Sequence, residues 1–74
     1  MKNNYFTYVL RSQTDHKFYV GFTKDLENRL DQHSGGKVQS TKIRRPLNLI
    51  YYEVCFNKED AIHREQYLKS SYGK

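Results

Sequence analysis

Seventy-four residues leave room for one small domain and exclude a large hydrophobic core, since a chain this short buries only roughly 60% of the surface it exposes when unfolded. Hydrophobic residues make up 36%, but seven Tyr and four Phe enlarge the apolar area available for burial. The single cysteine, Cys55, excludes an internal disulfide and is too few for a zinc site, and 13 basic against eight acidic side chains leave a net charge of +5 that suits a polyanionic partner.

The first residues lack the apolar core of a signal peptide, and no run approaches the ~20 residues of a membrane span. The expectation is a soluble cytoplasmic protein, residues 1–74 forming one domain, with no membrane partner.

Tyr5 to Arg11 is aromatic and β-branched, which predicts a strand. Ser12 to His16 is polar and turn-prone. Lys17 to Phe22 alternates again, with Phe18, Val20 and Phe22 on one face and Tyr19 and Gly21 on the other. Two strands this close predict an antiparallel hairpin. Glycine inside a strand often marks a place where another group approaches closely, and Tyr8 on the first strand could stand near Tyr19.

Thr23 or Asp25 can cap a helix running to about Ser34, with Gly35-Gly36 as its stop. Lys37 to Arg45 is a basic stretch with room for a short helical turn, ended by Pro46. Leu47 to Phe56 is the most strand-like segment. Asn57 can cap a last helix from Lys58 to about Ser70, its dipole met by Glu59 and Asp60. The predicted order is β-β-α-(short α)-β-α: an α+β fold with a small three-stranded, mainly antiparallel sheet flanked by helices.

Three polar residues occupy positions that stability alone would make apolar. Leu26, Arg29, Leu30 and His33 share one face of the first helix; Ala61, Ile62, Glu65 and Leu68 share one face of the last. Arg29 and Glu65 could simply pair, or their long stems could cover apolar surface while the charges reach water. Repeated on two helices, the pattern points instead to a site, because a half-buried charge is costly unless compensated.

Phe6-Thr7-Tyr8 followed after ten residues by Tyr19-Val20-Gly21 resembles the paired motif of the GIY-YIG nuclease superfamily. Arg29 and His33 fall where that family's first helix would carry them. His63-Arg64-Glu65-Gln66-Tyr67-Leu68-Lys69 is similar to the R-E-x-x-L-K segment of small stand-alone members. The resemblance extends from Tyr5 to Lys74. Phe6 and Thr7 replace the Gly and Ile of the first motif, and an asparagine that some members use beyond the glutamate is absent from this sequence.

The resemblance implies an endonuclease that hydrolyses phosphodiester bonds, with DNA expected as its substrate ahead of RNA and with low sequence specificity. It implies one divalent ion, Mg²⁺ or Mn²⁺, held by Glu65, and a catalytic set of Tyr8, Tyr19, Arg29, His33 and Glu65. Arg29 would meet the phosphoryl charge. Tyr8, Tyr19 or His33 would handle the proton of the attacking water, with no choice among them from sequence. Lys37, Lys42, Arg44 and Arg45 are the expected nucleic-acid track, while His16 and His63 are expected at the surface. A monomer or weak homodimer is expected. The competing readings are a nucleic-acid-binding module of the same fold with little cleavage, and a protein-interaction domain using its aromatic sheet.

Overall fold

A computed structural model describes residues 4–72 of the chain. Its elements are β1 (Tyr5–Ser12), β2 (Phe18–Thr23), α1 (Leu26–Ser34), a 3-10 turn (Lys42–Arg44), β3 (Leu47–Cys55) and α2 (Lys58–Tyr72). The three strands form one antiparallel sheet in the order β2-β1-β3. The α+β architecture read from sequence is therefore the observed one. Boundaries differ by a residue or two: β1 gains Ser12, β2 starts at Phe18 and runs to Thr23, β3 stops at Cys55, and α2 continues to Tyr72.

Local chemistry accounts for the turns. Ser12 Oγ accepts from the backbone N–H groups of Thr14 and Asp15, tightening the hairpin turn, and donates to the Arg44 carbonyl at 2.6 Å. Asp25 caps α1 by accepting from the Asn28 N–H at 3.1 Å, and Thr23 supports the same entry by accepting from Asp25 N. Gly36 closes α1 at φ 75°, the left-handed conformation that glycine adopts without strain. Asn57 Oδ1 accepts from the N–H groups of Glu59 and Asp60, starting α2.

Alternation along β1 sends successive side chains to opposite faces. Val9 packs with Val20 of β2 and Leu68 of α2, with Phe18 and Tyr72 closing over them. Thr7 shares that face, and its fully buried hydroxyl donates to the Ala61 carbonyl at 2.9 Å, pinning the first turns of α2 to the sheet. Tyr8 and Leu10, also fully buried, point the other way, toward α1. Strand β3 lies at the sheet edge with Leu49, Ile50, Tyr51, Tyr52 and Val54 exposed. Arg64 of α2 reaches it through a two-pronged pair with Glu53, at 2.6 and 3.1 Å. Among the described residues, no helix is long and apolar enough to cross a membrane.

Candidate active site

The site is built where β1, β2 and α1 meet. Tyr8 stands directly opposite Gly21 in the β1–β2 register, and its ring lies over that glycine. A Cβ at position 21 would come within 2.4 Å of Tyr8 Cζ and Oη, so only glycine admits the ring. The close approach expected at Gly21 is thus made by Tyr8. Tyr19 stands diagonally beside it, with ring centroids 6.4 Å apart.

His33, the last-turn residue of the α1 stripe, packs against both tyrosines. Its ring sits edge-on to Tyr8 at 5.7 Å and to Tyr19 at 5.2 Å. Its Nε2 is 2.8 Å from the Tyr8 hydroxyl, and its Nδ1 is 2.8 Å from the Thr41 hydroxyl. With only 1% of its surface exposed, the imidazole is held neutral. Burial, and then the charge of Arg29, push its pKa down to about 4.

Arg29, one turn earlier on α1, places its guanidinium beside the hydroxyls of Tyr8 and Tyr19. Contact with Tyr8 is the main reason its pKa rises above the ordinary value. One of its terminal nitrogens donates to Gln32 Oε1 at 3.0 Å, while the buried Nε has no partner. Burial raises the pKa of Tyr8, and Tyr19 and Glu65 add to that, whereas Arg29 opposes it. Tyr8 is therefore a neutral phenol at rest, with a cation beside it ready to stabilise the phenolate.

Glu65 comes from α2, on the other side of the sheet, yet its charge is felt at Tyr8. It is half-buried, and its ion-pair partner is Lys69, one turn along the same helix, at 3.4 Å. Among the described residues no ion pair joins Arg29 to Glu65. The simple mutual pairing that the sequence allowed is not what the two residues do. Each keeps capacity for something else.

The basic residues divide. Lys37 and Lys42 are exposed. Arg45 is exposed too, but it donates to the carbonyls of Lys42 and Ser34 and lies over Gly36. Arg44 is half-buried, pairs with Asp15 at 3.3 Å and donates to the Phe18 carbonyl. That makes it a brace between the hairpin and the 3-10 turn. His16 and His63 are exposed and stand apart from the cluster.

Thr41 was not identifiable from sequence. It lies in the basic stretch without periodicity, and a threonine between Ser40 and Lys42 reads as loop. Val38, buried in the same stretch, also gave no pattern.

For an implied divalent ion, the donor chemistry present fits a hard cation. One carboxylate with a weakly held partner can anchor Mg²⁺ or Mn²⁺, which keep most of their waters. Among the described residues, no group of three or more His, Cys, Asp or Glu side chains gathers to form an all-protein cage.

Comparison with known proteins places the chain and its fold in a family. The family model of the GIY-YIG catalytic domain matches residues 4–74. The UPF0213 protein YazA of Bacillus subtilis is 41% identical over 68 residues, covering 90% of this chain and 68% of its own. A UPF0213 protein of Staphylococcus saprophyticus is 35% identical over 69 residues, covering 92% and 83%. The solution structure of a UPF0213 protein of Bacillus halodurans superposes with a TM-score of 0.57 at 31% identity, over 90% of this chain and 71% of that one. With Tyr8, Tyr19, Arg29 and His33 gathered in one cluster and the match spanning the described fold, the chain belongs to the GIY-YIG catalytic-domain family, a family of nucleases.

Proposed function

We propose that this chain is an endonuclease that hydrolyses phosphodiester bonds in DNA, with one divalent ion, Mg²⁺ or Mn²⁺, at Glu65 and little sequence specificity. The observation that carries the reading is Arg29: a guanidinium beside Tyr8 and Tyr19 that no carboxylate pairs with among the described residues. Such a group is completed by an anion. A phosphate drawn to it comes to rest beside Tyr8 and Tyr19.

Hydrolysis then needs a water to lose its proton as it attacks phosphorus and the P–O3′ bond breaks. We assign that proton to Tyr8, acting as the phenolate formed once its own proton has passed to solvent, with Tyr19 orienting the water and a proton from solvent neutralising the departing O3′. The Arg29 charge favours the phenolate and the developing phosphoryl charge alike. A lysine would do this less well, lacking the planar fork. When bound, the ion would act as a Lewis acid on the phosphate and the leaving oxygen. Lys37, Lys42 and Arg45 would contact the backbone of the strand without reading its bases, with Arg44 bracing the segment that presents them.

Nicking of supercoiled plasmid with added Mg²⁺ or Mn²⁺ tests the reading. Glu65→Ala should remove activity while the melting temperature holds; undiminished nicking by that variant would overturn it. A binding module with little cleavage is the second reading, favoured by the burial that raises the Tyr8 pKa. It expects binding that weakens steeply with salt and is indifferent to Glu65→Ala.

A further inference from the structure

The two edges of the sheet are finished differently. Strand β2 is six residues long, with Lys17 before it and Lys24 after it, and α2 packs across it. Arg44 donates to its Phe18 carbonyl at 3.3 Å. A short, covered strand flanked by lysines is a poor template for another chain. Strand β3 is nine residues long and pairs with β1 alone, and α2 lies mainly over β2 and β1. It bulges once, at Ile50, and runs regularly from Tyr51 to Cys55. No charged residue occurs from Leu47 to Tyr52, and the one charge in the strand, Glu53, is already neutralised by Arg64.

Both faces of β3 carry uncovered apolar groups. Leu49, Tyr52 and Val54 stand opposite Leu10, Tyr8 and Phe6 and share their face, toward α1, while Tyr51 stands opposite Val9, toward α2. These four and Ile50 are 38–51% exposed, and Phe56 beside them is 71% exposed. At ~200 Å² for a fully exposed large side chain, they leave roughly 600 Å² open on each copy. Two such surfaces set together can bury up to about 1,200 Å², before the paired backbones are counted, which reaches the lower end of specific interfaces.

We infer that β3 is a self-association edge: two copies pair their β3 strands antiparallel about a two-fold axis, making one six-stranded sheet in the order β2-β1-β3-β3-β1-β2. Identical strands satisfy each other in this arrangement, since every apolar group of one copy meets the same set from the other. Glu53 keeps Arg64, so no unpaired charge is buried. None of the 13 Lys and Arg falls between Pro46 and Lys58, so the repulsion between two basic chains lies off the strand and is screened by salt. The axis passes through the sheet, so both copies turn their α1 faces, and with them their Tyr8 clusters, to the same side. The pairing holds whether or not the chain cleaves DNA.

Sedimentation equilibrium from about 10 μM to about 1 mM should show a monomer–dimer equilibrium, as expected for an interface of this size, that strengthens with added salt. Val54→Lys, and Tyr51→Lys on the opposite face, should each weaken it roughly tenfold or more while the monomer keeps its melting temperature within a few degrees. Asn28→Lys, which adds the same charge on α1, should leave it unchanged. Backbone amides of β3 should gain hydrogen-exchange protection with concentration, and those of β2 should not. A monomer throughout the range, a dimer indifferent to both β3 variants, or β3 amides that gain protection only when a different protein is added would each overturn the inference.

Discussion

Residues that alternate along β1 enter two unlike environments. Toward α2, Val9 meets Val20 and Leu68 in a small apolar cluster. Toward α1, Tyr8 meets His33, and through it Thr41, in a buried chain of polar atoms beside the Arg29 guanidinium. The first contact is non-directional and tolerates changes of shape. The second works only if every donor finds its acceptor, so it specifies one arrangement at the expense of stability. A 74-residue chain with a thin core has given half of its sheet to the second kind.

That division can be tested by breaking each side in turn. Arg29→Ala should have the largest effect, a loss of cleavage of about 10²–10³-fold, typical of removing a donor aimed at developing charge. Stability should hardly change, because Arg29 has no ion-pair partner to strand. Kinetics and a thermal melt on the same sample check both halves. Leu68→Ala should do the reverse, costing about 3 kcal/mol in urea unfolding while leaving the site chemistry intact at low temperature.

The pH dependence of stability probes the polar side alone. His33 titrates near 4 in the folded protein and near 6.5 when unfolded, so the unfolded chain takes up the proton first as pH falls. Its contribution is fully present above pH 6.5 and is lost progressively down to about 4, a change of about 3 kcal/mol if His33 acts alone. Asp15 and Glu53, whose pKa values are lowered, lose their contributions only below the ordinary carboxylate range, so the window between 4.5 and 6.5 belongs to His33. Urea titrations across that window, repeated on His33→Gln, should show the slope in the parent and its loss in the variant. The smallest effect is expected at Thr7→Val, about 1 kcal/mol for the lost bond to the Ala61 carbonyl, with cleavage unaffected.

The sequence made one side of this comparison more legible than the other. The hairpin, both helix caps and the polar intrusions at Arg29, His33 and Glu65 follow from periodicity and local chemistry, which act over a few residues. So does Gly21, since an unexplained glycine in a strand announces a neighbour. Thr41 and Thr7 make contacts 8 and 54 residues away, and no local rule separates a hydroxyl buried by such contacts from one in solvent. Strand β3 shows the same limit from the other direction. Its nine residues have strong strand character, but only the topology shows that it occupies an edge with much of its apolar surface uncovered.

The pairing of Tyr8 with Gly21 has a consequence for variation in this chain. Because the ring occupies the space a Cβ would need, any side chain at position 21 must first evict the tyrosine. Single substitutions at Gly21 are thereby closed, and become tolerable for folding only after Tyr8 has been replaced by something smaller. The two positions are thereby ordered: position 21 can be filled only after the tyrosine at position 8 is lost, and a tyrosine can return there only after glycine is restored at position 21.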